Sequence, residues 1–244
     1  MIGFLLDLLF PPKCACCGRV LERRKVNPCP ACAEGLPLLS DDQILRTGPY
    51  GLCAVAFRYE GGVRDAIRAC KFHGRQSALR ALAPYLVQAA SEHLSGQFDA
   101  VTYVPVSPKR LRERGYDQAR LLADAMARHW DTRVETTLRK ARHTKAQSSL
   151  KDAAARRQNI SGAYTVLSAE RAAGRRFLLV DDVVTTGSTM AAAAEALRSA
   201  GAVSVVCAAL AAPDLGGEPE ESRRPMGEIL KTNRELQLFS CKIK

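Results

Sequence analysis

Apolar and polar positions along this chain fall into two kinds of block. Short unbroken apolar runs, the mark of strands buried on both faces, occur at Val55–Tyr59, Ala100–Val104, Phe177–Val180 and Val203–Leu210. Val134–Leu138 and Ala163–Leu167 are weaker strand candidates. Between them lie stretches of helical spacing. Val63–Phe72 places Val63, Ile67 and Cys70 on one face and is followed by Gly74, and Leu79–Leu94 is closed by Gly96. Leu111–Trp130 reads as one long helix, and the Ala-rich Ser188–Ala200 is stopped by Gly201. Residues 139–150 are basic and polar without apolar period and read as a loop, with a helix over 151–158. Strands alternating with helices predict an α/β domain around a parallel sheet. No internal repeat is visible.

The ends differ from this middle. Residues 11–48 are rich in Cys, Pro and charge and poor in apolar period. Residues 213–227 hold three Pro and three Gly, the composition of a linker. The expected division is an N-terminal helix and cysteine module over 1–48, an α/β domain over 49–212, and a linker or tail over 213–244. The apolar opening Met1–Phe10 lacks a basic leading segment, carries Asp7 and runs into Pro11-Pro12, so it reads as a packed helix rather than a signal peptide. No apolar run approaches the ~20 residues that cross a bilayer.

Composition sharpens this picture. With 47% hydrophobic residues, the 244-residue chain has material for an ordinary core. Aromatics are only 6%, with Trp130 the single Trp, against a nucleic-acid binder built on base stacking. The net charge of +11 is concentrated: residues 107–160 hold 14 Lys/Arg against 6 Asp/Glu. Such a segment suits either a solvated face or an anionic partner. Nine Cys is an odd number; without an export signal, reduced thiols, a metal site and a cytoplasmic location are expected.

The most specific stretch is Phe177–Thr189, FLLVDDVVTTGST. A buried strand ends in two carboxylates, Asp181 and Asp182, at the edge where open α/β sheets bind ligands. Adjacent carboxylates can accept hydrogen bonds from a sugar diol. The following turn, Thr185, Thr186, Gly187, Ser188 and Thr189, brings hydroxyls and backbone N–H groups to a helix N-terminus, a ready phosphate site. No Lys follows the glycine and there is no Gly-x-Gly-x-x-Gly, so the common nucleotide loops are absent. A diol reader beside a phosphate cradle makes a ribose 5-phosphate pocket.

This stretch resembles the phosphoribosyl diphosphate (PRPP) signature of type I phosphoribosyltransferases. Val104–Arg120, Arg142–Leu150 with Arg157 and Asn159, and Phe57–Gly74 further resemble the ComF family, associated with natural competence and DNA uptake, and the related GntX proteins. The likeness covers roughly residues 8–212 and implies a parallel-sheet type I phosphoribosyltransferase-like domain behind an N-terminal zinc finger. It implies PRPP binding with Mg²⁺ by Asp181, Asp182, Val183 and Thr185–Thr189. It places a pyrophosphate loop near Ser107, Lys109 and Arg110, and a mobile loop around Lys145 and Gln147 that closes over the ligand. Several nucleobase-specific relatives carry an acid where this chain has Thr185, so base salvage is not implied and no general base is assigned.

Cys14-x-x-Cys17 and Cys29-x-x-Cys32 form two knuckles, eleven residues apart. Four thiolates suit tetrahedral Zn²⁺ and leave no open position, so the site should be structural; iron–sulfur ligation is the alternative. Cys16 lies within the first knuckle as a competing ligand, and Cys53, Cys70 and Cys207 read as small core residues. Three functions fit these features. One is a Mg²⁺-assisted phosphoribosyltransferase with an unidentified acceptor. Another is a PRPP or nucleotide sensor without turnover. A third is an accessory factor of DNA uptake that grips single-stranded DNA or DNA-uptake proteins through its ribbon and basic segment.

Overall fold

A computed structural model of the chain describes residues 11–22, 27–140 and 162–213. The expected helices at 1–10 and 151–158, the mobile-loop residues Lys145 and Gln147, and the tail from 214 onward lie outside the described residues.

Five strands make the main sheet: β1 (Leu45–Gly48), β2 (Gly51–Arg58), β3 (Ala100–Tyr103), β6 (Arg176–Val183) and β7 (Ser204–Ala212). Their order is β1-β2-β7-β6-β3. All neighbouring pairs are parallel except the β1–β2 hairpin, which gives the expected α/β architecture with one antiparallel edge. The sheet thus takes in Leu45–Gly48 from the 1–48 segment. A separate two-stranded ribbon pairs β4 (Leu138–Lys140) with β5 (Tyr164–Val166). Val134 makes only an isolated bridge to Val101, so the expected strand over 134–138 is corrected to 138–140. Arg139 and Lys140, expected in a loop, lie on that strand.

The long helices are α1 (Gly61–His73), α2 (Gln76–Leu94), α3 (Pro108–Arg114), α4 (Gln118–His129) and α5 (Ser188–Ser199). The single helix expected over 111–130 is therefore two. Gly115 adopts a left-handed φ of 78° and ends α3, and Asp117 caps α4 by accepting from the Ala119 and Arg120 N–H groups. Stop and start signals sit two residues apart, and together they outweigh the continuous apolar spacing on either side. Helices α2 and α4 pack on each other and on the sheet, while α5 packs on β6, β7 and β5.

The apolar strands explain the core. Phe57, Val101, Phe177, Leu178, Leu179 and Leu210 are fully buried, and each such side chain contributes about 1.5–3 kcal/mol over an exposed one. Cys53, Cys70 and Cys207 are fully buried among them, as small core residues.

Candidate functional site

Strand lengths create the pocket. β3 stays paired with β6 only as far as Tyr103 opposite Val180, and Val104 makes one more bond to the Val180 carbonyl. β6 continues through Val183 against β7. Asp181 and Asp182 therefore lie within the last part of the strand rather than beyond its end. On the β3 side, where Pro105 turns the chain away, their flank is left open. A cavity of about 690 Å³ fills that gap. Asp181, Asp182, Val183 and all of Thr185–Thr189 line it, with Val104–Val106 and Arg110 across from them.

Successive strand residues point to opposite faces, and the two carboxylates live differently. Asp182 is buried and accepts a hydrogen bond from Lys71 Nζ at 2.8 Å. Asp181 Oδ1 accepts from the Asp182 N–H at 2.7 Å. Burial, and next the charge of Asp182, hold the Asp181 carboxyl well above the usual carboxylate range. Burial opposes the charge on Lys71, but Asp182 outweighs it and raises the ammonium above its ordinary value.

The turn after β6 is shaped for an anion. Gly187 is the N-cap of α5 with φ 72°, a left-handed backbone that other residues enter at a cost. A Cβ there would overlap the Tyr50 ring. Having no side chain, this cap supplies no acceptor to the first turn, where the Ser188 N–H donates to Thr186 Oγ1 at 3.4 Å. Thr186 and Ser188 hydroxyls lie 2.8 Å apart beside it.

Asp117 builds the facing loop. Its Oδ2 accepts from the Val106 N–H at 2.8 Å while Oδ1 caps α4, so the segment leaving β3 is tied to a helix N-terminus. Of the expected pyrophosphate residues, Arg110 lines the cavity. Ser107 is buried and caps α3 through the Arg110 N–H. Lys109 is exposed beside Glu113 and does not line the cavity. Lys140 and Tyr164 of the β4–β5 ribbon add a further wall; burial and then the nearby Arg110 lower the Lys140 ammonium pKa.

The sequence reading did not single out Lys71 or Asp117. Asp117 carried a readable signal, an acid after a glycine where helical spacing resumes. Lys71 carried none, since its partner is 111 residues away.

The cysteines form the second site. Among the described residues, the ligand atoms of Cys14, Cys17, Cys29 and Cys32 all lie within 4.8 Å of one another. The Cys17 and Cys29 Sγ atoms are 3.9 Å apart, close to the edge of about 3.8 Å that a tetrahedron of Zn–S bonds has. The cluster could therefore hold a metal such as zinc. The Cys29 N–H donates to Cys14 Sγ at 3.4 Å, and Asn27 ties the first knuckle by accepting from the Ala15 N–H and donating to the Lys13 carbonyl. Cys16 is no competing ligand: it packs on Gly62, where a Cβ would come within 2.6 Å of the Cys16 Cβ. That contact, with Arg75 donating to the Cys14 carbonyl at 2.7 Å, docks the module on the α/β domain.

A family model described as phosphoribosyl transferase domain matches residues 117–242. The DNA utilization protein YhgH of Salmonella typhi is 30% identical, over 79% of this chain and 86% of that protein. Competence protein F of Haemophilus influenzae is 37% identical over 42% of this chain and 45% of its own length. Competence protein ComFC of Streptococcus pneumoniae is 26% identical over 79% and 84%.

Proposed function

Because this chain belongs to the phosphoribosyl transferase domain family, as a ComF-type member, we propose that its pocket binds PRPP or a related phosphoribosyl ligand. The observation that carries the reading is the meeting of the Asp181–Asp182 pair and the Thr185–Thr189 turn in one cavity. The carboxylates accept from the ribose hydroxyls, and the N–H groups opening α5 take the 5-phosphate. Arg110, across the cavity from the carboxylates, faces the pyrophosphate. The carboxylate oxygens are hard donors that suit Mg²⁺ through water, and such an ion, held largely by the substrate's phosphates, would neutralise charge there. If the chain turns over, the acceptor's nucleophilic atom bonds to the anomeric carbon as the C–O bond there breaks and pyrophosphate leaves with its electron pair. The positive charge gathering on the ribosyl ring is then stabilised by the flanking carboxylates.

The names of the relatives, DNA utilization and competence proteins, favour a role in DNA uptake, and Zn²⁺ in the four-thiolate cluster fits a structural module there. A second reading, a nucleic-acid-binding accessory factor without turnover, draws on the same names and on the basic segment 107–160. Calorimetric titration of PRPP with Mg²⁺ tests the first. Binding is expected in the wild type and not in Asp181→Asn/Asp182→Asn. Absence in both would overturn it, and strongly salt-dependent DNA binding would then favour the second.

A further inference from the structure

The last turn of α1 sends Lys71 into the pocket. Nothing about a diol or phosphate site requires a lysine on the acidic pair, yet this one is built in. Tyr116, between α3 and α4, donates its hydroxyl to the carbonyl of Cys70, so the turn carrying Lys71 is fixed to the same loop that forms the far wall. The Lys71 and Asp182 side chains are only 24% and 11% exposed.

We infer that Lys71 is a specificity-determining residue that closes the carboxylate pair to a free divalent cation while leaving it open to a neutral sugar diol. This deepens the phosphoribosyl reading of the pocket and rests on it. Two adjacent carboxylates with no cation between them are an attractive seat for a metal ion. Here an ammonium already sits on one of them, and a divalent ion arriving within ~4 Å would meet strong like-charge repulsion in a poorly screened cavity. A hydroxyl meets no such barrier. A carboxylate has about four acceptor positions, so Asp182 can hold Lys71 and a ribose hydroxyl together. Three other cations lining the cavity, Arg110, Arg114 and Lys140, add to the barrier; of the further acids there, Asp117 is occupied by the Val106, Ala119 and Arg120 N–H groups and Glu113 lies 3.9 Å from Lys109 Nζ. The metal then enters with the pyrophosphate that carries it, and metal alone does not occupy the diol site.

The test is Mn²⁺ binding followed by electron paramagnetic resonance, on full-length protein with its cysteine site as purified. Wild type and Lys71→Arg should show no saturable Mn²⁺ site in the pocket. Lys71→Met should gain one, at least about tenfold tighter than any weak Mn²⁺ binding of the wild type, and Lys71→Met/Asp182→Asn should lose it. Lys71→Gln serves as a second neutral variant should the Met form fold poorly. Equal Mn²⁺ affinity in wild type and in the neutral variants overturns the inference, as does a gain that survives Asp182→Asn. A PRPP–Mg²⁺ titration of the wild type stands apart: silence there sinks the phosphoribosyl reading, whereas the Mn²⁺ comparison addresses Lys71 alone.

Discussion

The two candidate sites are held in opposite ways. The cysteine cluster sits in a segment with little apolar material: its helix Pro30–Glu34 buries no residue. Its order rests on two knuckles and a few hydrogen bonds, and its four converging thiolates could hold a metal such as zinc. The pocket hangs on a sheet whose central strands are buried along nearly their whole length, and its charged groups occupy the places where strand pairing stops. With a metal in that cluster, one region would concentrate its stability in a single centre. The other spreads stability over the core and can place repelling carboxylates side by side at the edge.

The largest effect that would break this contrast is metal removal. A structural zinc contributes roughly 10–16 kcal/mol to small modules, so, with zinc in the cluster, a strong chelator should unfold the module around Cys14–Cys17 and Cys29–Cys32 and leave the α/β domain standing. Far-UV circular dichroism should keep most of its signal; collapse of the whole spectrum would show that the docking of Cys16 and Arg75 carries the sheet as well.

Next comes Asp182→Asn. It should weaken PRPP binding by about 10- to 100-fold, because it removes a charged acceptor worth about 1.5–3 kcal/mol and frees Lys71 to repel the metal. Unchanged calorimetric affinity would contradict the assignment. Gly187→Ala follows, with an expected loss of about 1–3 kcal/mol in denaturant melts from the forced left-handed backbone and the overlap with Tyr50. PRPP affinity should fall with it, since the phosphate turn must shift.

The smallest effect has the opposite sign. Asp181 has a native pKa above its unfolded value. Its protonated form therefore lends stability in full below about pH 4, and this is lost as pH rises through the raised native value. Asp181→Asn should raise Tm by about 2–4 °C per kcal/mol recovered at pH 8, with the gain shrinking toward pH 4. A lowered Tm at pH 8 would show that Asp181 is held by a stronger partner than the Asp182 N–H.

Much of this was legible in the sequence for a physical reason. β2, β3, β6 and β7 are mostly buried, so they read as unbroken apolar runs, and the 185–189 turn and both cysteine knuckles are local motifs in which spacing is geometry. What failed was either non-local or too brief. Gly115 and Asp117 break a helix within three residues whose flanks keep helical spacing. β4 carries Arg139 and Lys140, so its charge masked it as a loop. The Lys71–Asp182 pair and the packing of Tyr50 on Gly187 join segments that only the folded sheet brings together, and no local pattern encodes them. The cap that Ser107 makes for α3 is likewise visible only in the folded chain.

Hydrogen–deuterium exchange with and without PRPP and Mg²⁺ tests the central claim most directly, because it asks where the ligand acts. Protection is predicted at 104–107, at 181–189 and at the end of α1 around Lys71, with residues 14–32 unchanged. Protection confined to the cysteine module, or absent from 181–189, would contradict the account.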